Sequence, residues 1–127
     1  MGTFTKVILD TGPDGRARWR DEAVPLDQGT PQSRLSALMA SGGYQLRESP
    51  PGFRSAPHCS PHAQWVFILR GRMLIGLPDG SVRGFGPGEH FHSADLLPAG
   101  DSFDPARHGH WSAQDGPEPL VTLFVRG

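Results

Sequence analysis

The chain has 127 residues, the size of one ordinary domain and enough to bury a core without disulfide or metal staples; its single cysteine, Cys59, rules out an internal disulfide. Its 12 basic and 13 acidic residues nearly balance and form no block of like charge, so neither nucleic acid nor a membrane surface is an expected partner. The best apolar run, Trp65 to Leu69, has five residues and cannot span a bilayer, and the segment MGTFTKVILD lacks a secretory h-region, so a cytoplasmic location is expected.

Apolar residues make up 36% of the chain, while Gly (17) and Pro (13) are abundant, a balance that favours many short strands over a helix bundle. Phe4 to Leu9 reads as a strand closed by a turn at Thr11 to Gly15, and the alternation of Arg16 to Arg20 suits an exposed strand. Pro25, Gly29 and Pro31 then break the chain. Ser33 to Ser41 fits a short helix through Leu35, Leu38 and Met39, or a strand through Leu35, Ala37 and Met39. Strand is preferred, because Gly42-Gly43 follows at once and leaves too few residues for a stable helix.

Tyr44 to Glu48 is a strand ended by Pro50-Pro51-Gly52. The clearest β signal is Gln64 to Leu69 followed by Met73 to Ile75, a hairpin or sharply bent strand around Gly71. Ser81 to Phe85 and Glu89 to Ser93 follow, separated by turns at Pro78-Asp79-Gly80 and Gly86-Pro87-Gly88. A loop rich in Asp, Pro and Gly runs from Ala94 to Arg107, and strands at His108 to Ser112 and Leu120 to Arg126 finish the chain. Strands this short and closely spaced predict an all-β sandwich or barrel, with Gln64 to Leu69 and Leu120 to Val125 central and under about one residue in ten helical.

The spacing around Gly52 resembles the first motif of the cupins: Gly, five residues, His, one residue, His, three residues, Glu, six residues, Gly. Here it reads Gly52, His58, Ser60, Gln64, Gly71, with every interval kept but Ser60 at the second His and Gln64 at the Glu. Asp79-Gly80 to Gly88 is similar to the turn and return joining the two cupin motifs, and Gly109-His110 answers to the second motif, after a loop longer than usual. The chain thus resembles small single-domain cupins. The resemblance implies an all-β, cupin-type double-stranded β-helix (jelly-roll) barrel over a single domain, residues 1–127. Residues 1–45 would supply N-terminal strands and a dimer arm, and residues 46–127 the barrel core with both motifs. Cupins are commonly dimeric, and the two N-terminal strands would leave sheet edges open in a monomer, so a homodimer is expected.

All six histidines lie in the second half, as His58 and His62, His90 and His92, and His108 and His110. Alternate strand residues share a face. His58, Ser60, His62 and Gln64 share a parity that the resemblance turns inward, with His110 meeting them from the second motif. His58, Gln64 and His110 are therefore the candidate ligand-binding residues. The same three are candidate metal ligands, with His62 as a substitute for the histidine missing at Ser60. The expected ion is one divalent transition metal (Zn, Fe, Mn or Ni), and the alternative is a cavity that binds its ligand through hydrogen bonds with no cofactor. His90 and His92 read as the surface face of a strand or as an addition to the pocket wall, and His108 as partly exposed. Cys59 reads as an unreactive buried thiol, and Trp65, Phe67 and Leu69 as core on the opposite face. Asp95, Asp101 and Asp104 could supply an acid, but a Pro/Gly loop favours turn roles for all three.

The function left open is that of a barrel with a histidine-lined pocket for a small molecule. It would be a metal-dependent enzyme of isomerase, lyase or oxygenase type, a non-catalytic binding module, or a scaffold with a filled cavity. The catalytic residues stay unassigned, although His58 or His110 could act as a general base without metal.

Overall fold

The computed structural model describes residues 2–127 and contains eleven strands and no helix among them. They are β1 (Gly2–Thr11), β2 (Ala17–Leu26), β3 (Gln28–Thr30), β4 (Ser33–Leu35), β5 (Tyr44–Ser49) and β6 (Gln64–Arg70). After them come β7 (Arg72–Gly76), β8 (Val82–Phe85), β9 (His90–Ala94), β10 (Trp111–Asp115) and β11 (Leu120–Arg126). No helix of the described residues is long and apolar enough to cross a membrane.

One sheet has the order β2-β1-β9-β6-β11-β5 and a second has the order β10-β7-β8. The segment before His58 runs along the free side of β10 through bridges at Arg54 to Ala113 and His58 to His110, completing a fourth line of that second sheet. Taken without the first two strands, the chain from β5 onward crosses from one sheet to the other at each step except the β7–β8 hairpin, which stays within the smaller sheet. The fold is a jelly roll. It is an all-β jelly-roll barrel as expected, with β6 and β11 inside the larger sheet as the apolar patterning requires.

Glycine sets the sharpest corner. Gly71 separates β6 from β7 with φ of 77°, and a Cβ there would lie 2.5 Å from the Pro119 carbonyl oxygen. Only glycine satisfies both the positive φ and the close approach of the next strand. At the N-terminus, β1 and β2 form a long hairpin whose β1 strand pairs in parallel with β9. β1 is therefore interior to the sheet and only β2 is an edge, whereas the sequence suggested two strands with open edges.

The core lies between the sheets. Val66, Ile68, Phe91 and Leu120 come from the larger sheet, Met73, Ile75 and Phe85 from the smaller, and Leu9 and Ala17 from the hairpin. The expectation that Trp65, Phe67 and Leu69 fill the core is wrong. Both parities of β6 are apolar, so alternation alone does not say which face turns inward, and Val66 and Ile68 are the inward pair. Trp65 and Phe67 stack on the outer face with ring centroids 5.6 Å apart, and Leu69 is 50% exposed.

Two further expectations fail locally. Of Ser33 to Ser41 only the first three residues pair as β4, and the remainder is neither helix nor strand. The last-but-one strand begins at Trp111 and not at His108, because Gly109 adopts φ of 80° and turns the chain before β10 can start.

Candidate functional site

The inward residues of β6, β9 and β11, with the chain from His58 to Gln64, enclose a pocket of about 360 Å³ at one end of the barrel. His58, His62, Gln64 and His110 all line it, so the four sequence candidates share one cavity. Its floor is apolar, formed by Val66, Met73, Ile75 and Phe91.

His58 and His110 face each other. Their backbones exchange two hydrogen bonds, His58 N to His110 O at 2.9 Å and His110 N to His58 O at 3.0 Å, and their ring centroids lie 4.8 Å apart. Gly109 makes this approach possible, since a Cβ at that position would sit 2.6 Å from the His58 carbonyl oxygen. That is the physical content of the Gly109-His110 pair.

Each ring has one nitrogen already committed. His58 Nδ1 lies 2.9 Å from the Ala56 carbonyl oxygen, which can only accept, so Nδ1 carries the proton. His110 Nδ1 lies 2.9 Å from Asp95 Oδ2 and donates to that carboxylate. Asp95 has 0% exposure and its second oxygen accepts from Thr11 Oγ1 at 2.8 Å. In both rings Nε2 is the nitrogen left to meet a ligand.

Asp95 is the residue the sequence reading missed. It looked like one of three turn aspartates, yet it continues the inward parity of Phe91 and Ser93 past the end of β9. Carrying the alternation one residue beyond the strand would have found it. Its loop neighbours do serve the loop: Asp104 caps Ala106 N at 3.0 Å, and Asp101 lies 3.3 Å from His108 Nε2.

The remaining histidines depart from expectation. His108 is buried and not partly exposed; its Nδ1 accepts from Asp104 N at 3.1 Å, and its Nε2 has no aligned partner. The loop is pressed inward because Arg107 donates twice to the Asp14 carbonyl oxygen, pinning it to the β1–β2 turn. His90 and His92 do lie on the outer face of β9, but under cover and not at the surface. His90 Nε2 accepts from Val7 N at 3.2 Å and His92 Nε2 donates to the Gly127 carbonyl oxygen at 2.7 Å. Burial lowers the proton affinity of both rings. Cys59 is only partly buried, not fully as expected, and that partial burial, with the Asp95 charge beside it, pushes its thiol up and away from thiolate.

The donors bear directly on a metal. Among the described residues no group of three His, Cys, Asp or Glu side chains stands close enough to hold an ion. Ser60, at the motif's second histidine, shares a 2.6 Å hydrogen bond with Ser93. Gln64, at the motif's carboxylate, is a neutral amide, and the Asp95 carboxylate is taken by His110 and Thr11. His62 lines the cavity but does not join His58 and His110 as a third ligand, and two imidazoles fall short of the three protein ligands that a catalytic zinc site uses.

A search for family models finds no match, and no curated protein sequence matches either. Among solved structures, the cupin domain of Schizosaccharomyces pombe Cnp3 is similar over 100% of this chain and 88% of that one, at 14% identity and a TM-score of 0.48.

Proposed function

We propose that the barrel pocket binds a small molecule and that His110, held by Asp95, moves a proton to or from it without a resident metal. The observation that carries this reading is the 2.9 Å bond between His110 Nδ1 and a fully buried carboxylate. A carboxylate at Nδ1 fixes the tautomer, leaves Nε2 as the basic atom and stabilises the imidazolium that forms when Nε2 takes a proton. Imidazole works near neutrality as base and then as acid, so one group can remove a proton and return it. His58 sets a second Nε2 close by, which suits a shift of a proton between two positions of one ligand. Isomerase and lyase chemistry can run on such a pair, whereas the oxygenase version needs an iron site that these donors do not supply.

The test uses the full chain after exhaustive chelation. Small hydroxy and keto compounds are screened by thermal stabilisation, and binders are followed by NMR for solvent deuterium entering the ligand. Stabilisation and exchange are expected in the chelated protein. His110→Gln and Asp95→Asn should each slow exchange by about 10²–10⁴-fold, the usual contribution of a positioned acid–base group. Exchange that returns only with added metal overturns the metal-free reading, and binding without exchange makes the protein a binding module.

A further inference from the structure

The pocket has a charged rim that its histidines do not explain. Arg47 on β5 and Arg126 on β11 both line it. They occupy inward positions on paired strands, one on either side of the Phe124–Gln45 pair. Neither forms an ion pair or a side-chain hydrogen bond among the described residues. Arg18, Arg20, Arg70 and Arg72 by contrast each lie against a carboxylate. No Asp or Glu lines the pocket, in a chain with 13 of them.

The Arg47 guanidinium is held in place without being neutralised. Its central carbon lies 4.7 Å from the Phe53 ring centroid and 6.0 Å from that of Phe124. Aromatic contact fixes the guanidinium and leaves its N–H edges free for a bidentate partner. Such a fork matches the two oxygens of a carboxylate. Below this rim the pocket is apolar at Val66, Met73 and Phe91.

We infer that the ligand is a small monocarboxylic acid, its carboxylate held by Arg47 and Arg126 and its apolar body laid over Val66, Met73 and Phe91. The inference rests on the pocket reading above and adds the class of molecule. A free phosphate would use the rim but leave the apolar floor wet. A neutral molecule would leave two guanidinium groups without the anion they are placed to meet. The acid's body then extends toward His58 and His110, so that the reacting position lies away from the carboxylate.

Calorimetric titration of the full chain with hexanoate and benzoate, against hexanol, benzyl alcohol and inorganic phosphate, tests this. It is run at about pH 8.5, where ordinary imidazoles are neutral, so that any anion preference comes from arginine. The acids should bind at least roughly tenfold more tightly than the alcohols and than phosphate. Arg47→Gln and Arg126→Gln should each weaken the acids by about tenfold or more, the value of a lost charge-assisted hydrogen bond, and leave alcohol binding unchanged. Alcohols that bind as well as the acids overturn the anion inference and leave the pocket reading standing. Phosphate that binds as well as the acids overturns the assignment to carboxylic acids. Absence of binding by every probe overturns the pocket reading itself, and this inference with it.

Discussion

Two pairs of histidines on this barrel are treated in opposite ways. On the outer face His90 and His92 each have Nε2 bonded to backbone, to Val7 N and to Gly127 O, and their rings are wedged against Phe4 and Trp65. At the pocket, exposed His58 and buried His110 are anchored through Nδ1, to Ala56 O and Asp95, and keep Nε2 for the cavity. The outer pair is used as structure, joining β9 to β1 and to the C-terminal residue. The inner pair is oriented but not consumed. What separates a structural from a chemical imidazole here is which nitrogen its neighbours have claimed, a property no residue count contains.

The largest effect should come from the residue between the outer histidines. Phe91 points inward, is buried and lies 4.9 Å from Phe85 by ring centroids. Phe91→Ala should cost about 3–5 kcal/mol in urea unfolding, as for other buried aromatic truncations. Leu69→Ala, on the same sheet but half exposed, should stay within about 0.5 kcal/mol. Equal losses at the two positions would break the assignment of inner and outer faces. Next, Gly109→Ala forces a Cβ toward the His58 carbonyl oxygen at positive φ. A loss of about 1–3 kcal/mol is expected from that strain, together with weaker ligand binding as the two inner rings are pushed apart. Ligand affinity untouched in this variant would mean that the approach of His58 and His110 is not used.

The smallest effect is one of pH. Burial depresses the proton affinity of His92, so below about pH 6.5, the ordinary imidazole value, the unfolded chain takes up a proton that the folded chain resists. This contribution to stability is present above the unfolded value and is lost as the pH falls through the folded one. His92→Phe removes the titrating group. Its melting temperature should therefore fall less between pH 7 and pH 5 than that of the parent, even though the loss of the bond to Gly127 lowers both values. A steeper fall in the variant would contradict the sign.

Much of the barrel could be read from the chain because the relevant signals are local. Period-two alternation and Gly/Pro punctuation mark β1, β5, β6, β7 and β11 within a residue or two, and the interval from Gly52 to Gly71 specifies the corner. What could not be read depended on long-range packing. Trp65 and Val66 are both apolar, and only the cover over each face decides between them. His108 looked partly exposed because nothing local announces that Arg107 reaches Asp14. The lack of carboxylate partners at Arg47 and Arg126 is visible only with the strands side by side. The His58, Gln64 and His110 grouping came from motif spacing, while Asp95, which orients His110, was hidden by the composition of its loop.

The bond from Thr11 to Asp95 spans 84 residues. The β1–β2 hairpin is local and can form as soon as its two strands exist, but its seat on β9 cannot exist until the barrel has nearly been completed. Closing so long a loop is a late and slow step in folding, because its entropy is spent before the contact rewards it. The carboxylate that orients His110 is thus completed by the last docking event. Refolding followed by hydrogen exchange should show protection at β6 and β11 before protection at β1, and ligand-binding competence should arrive with β1.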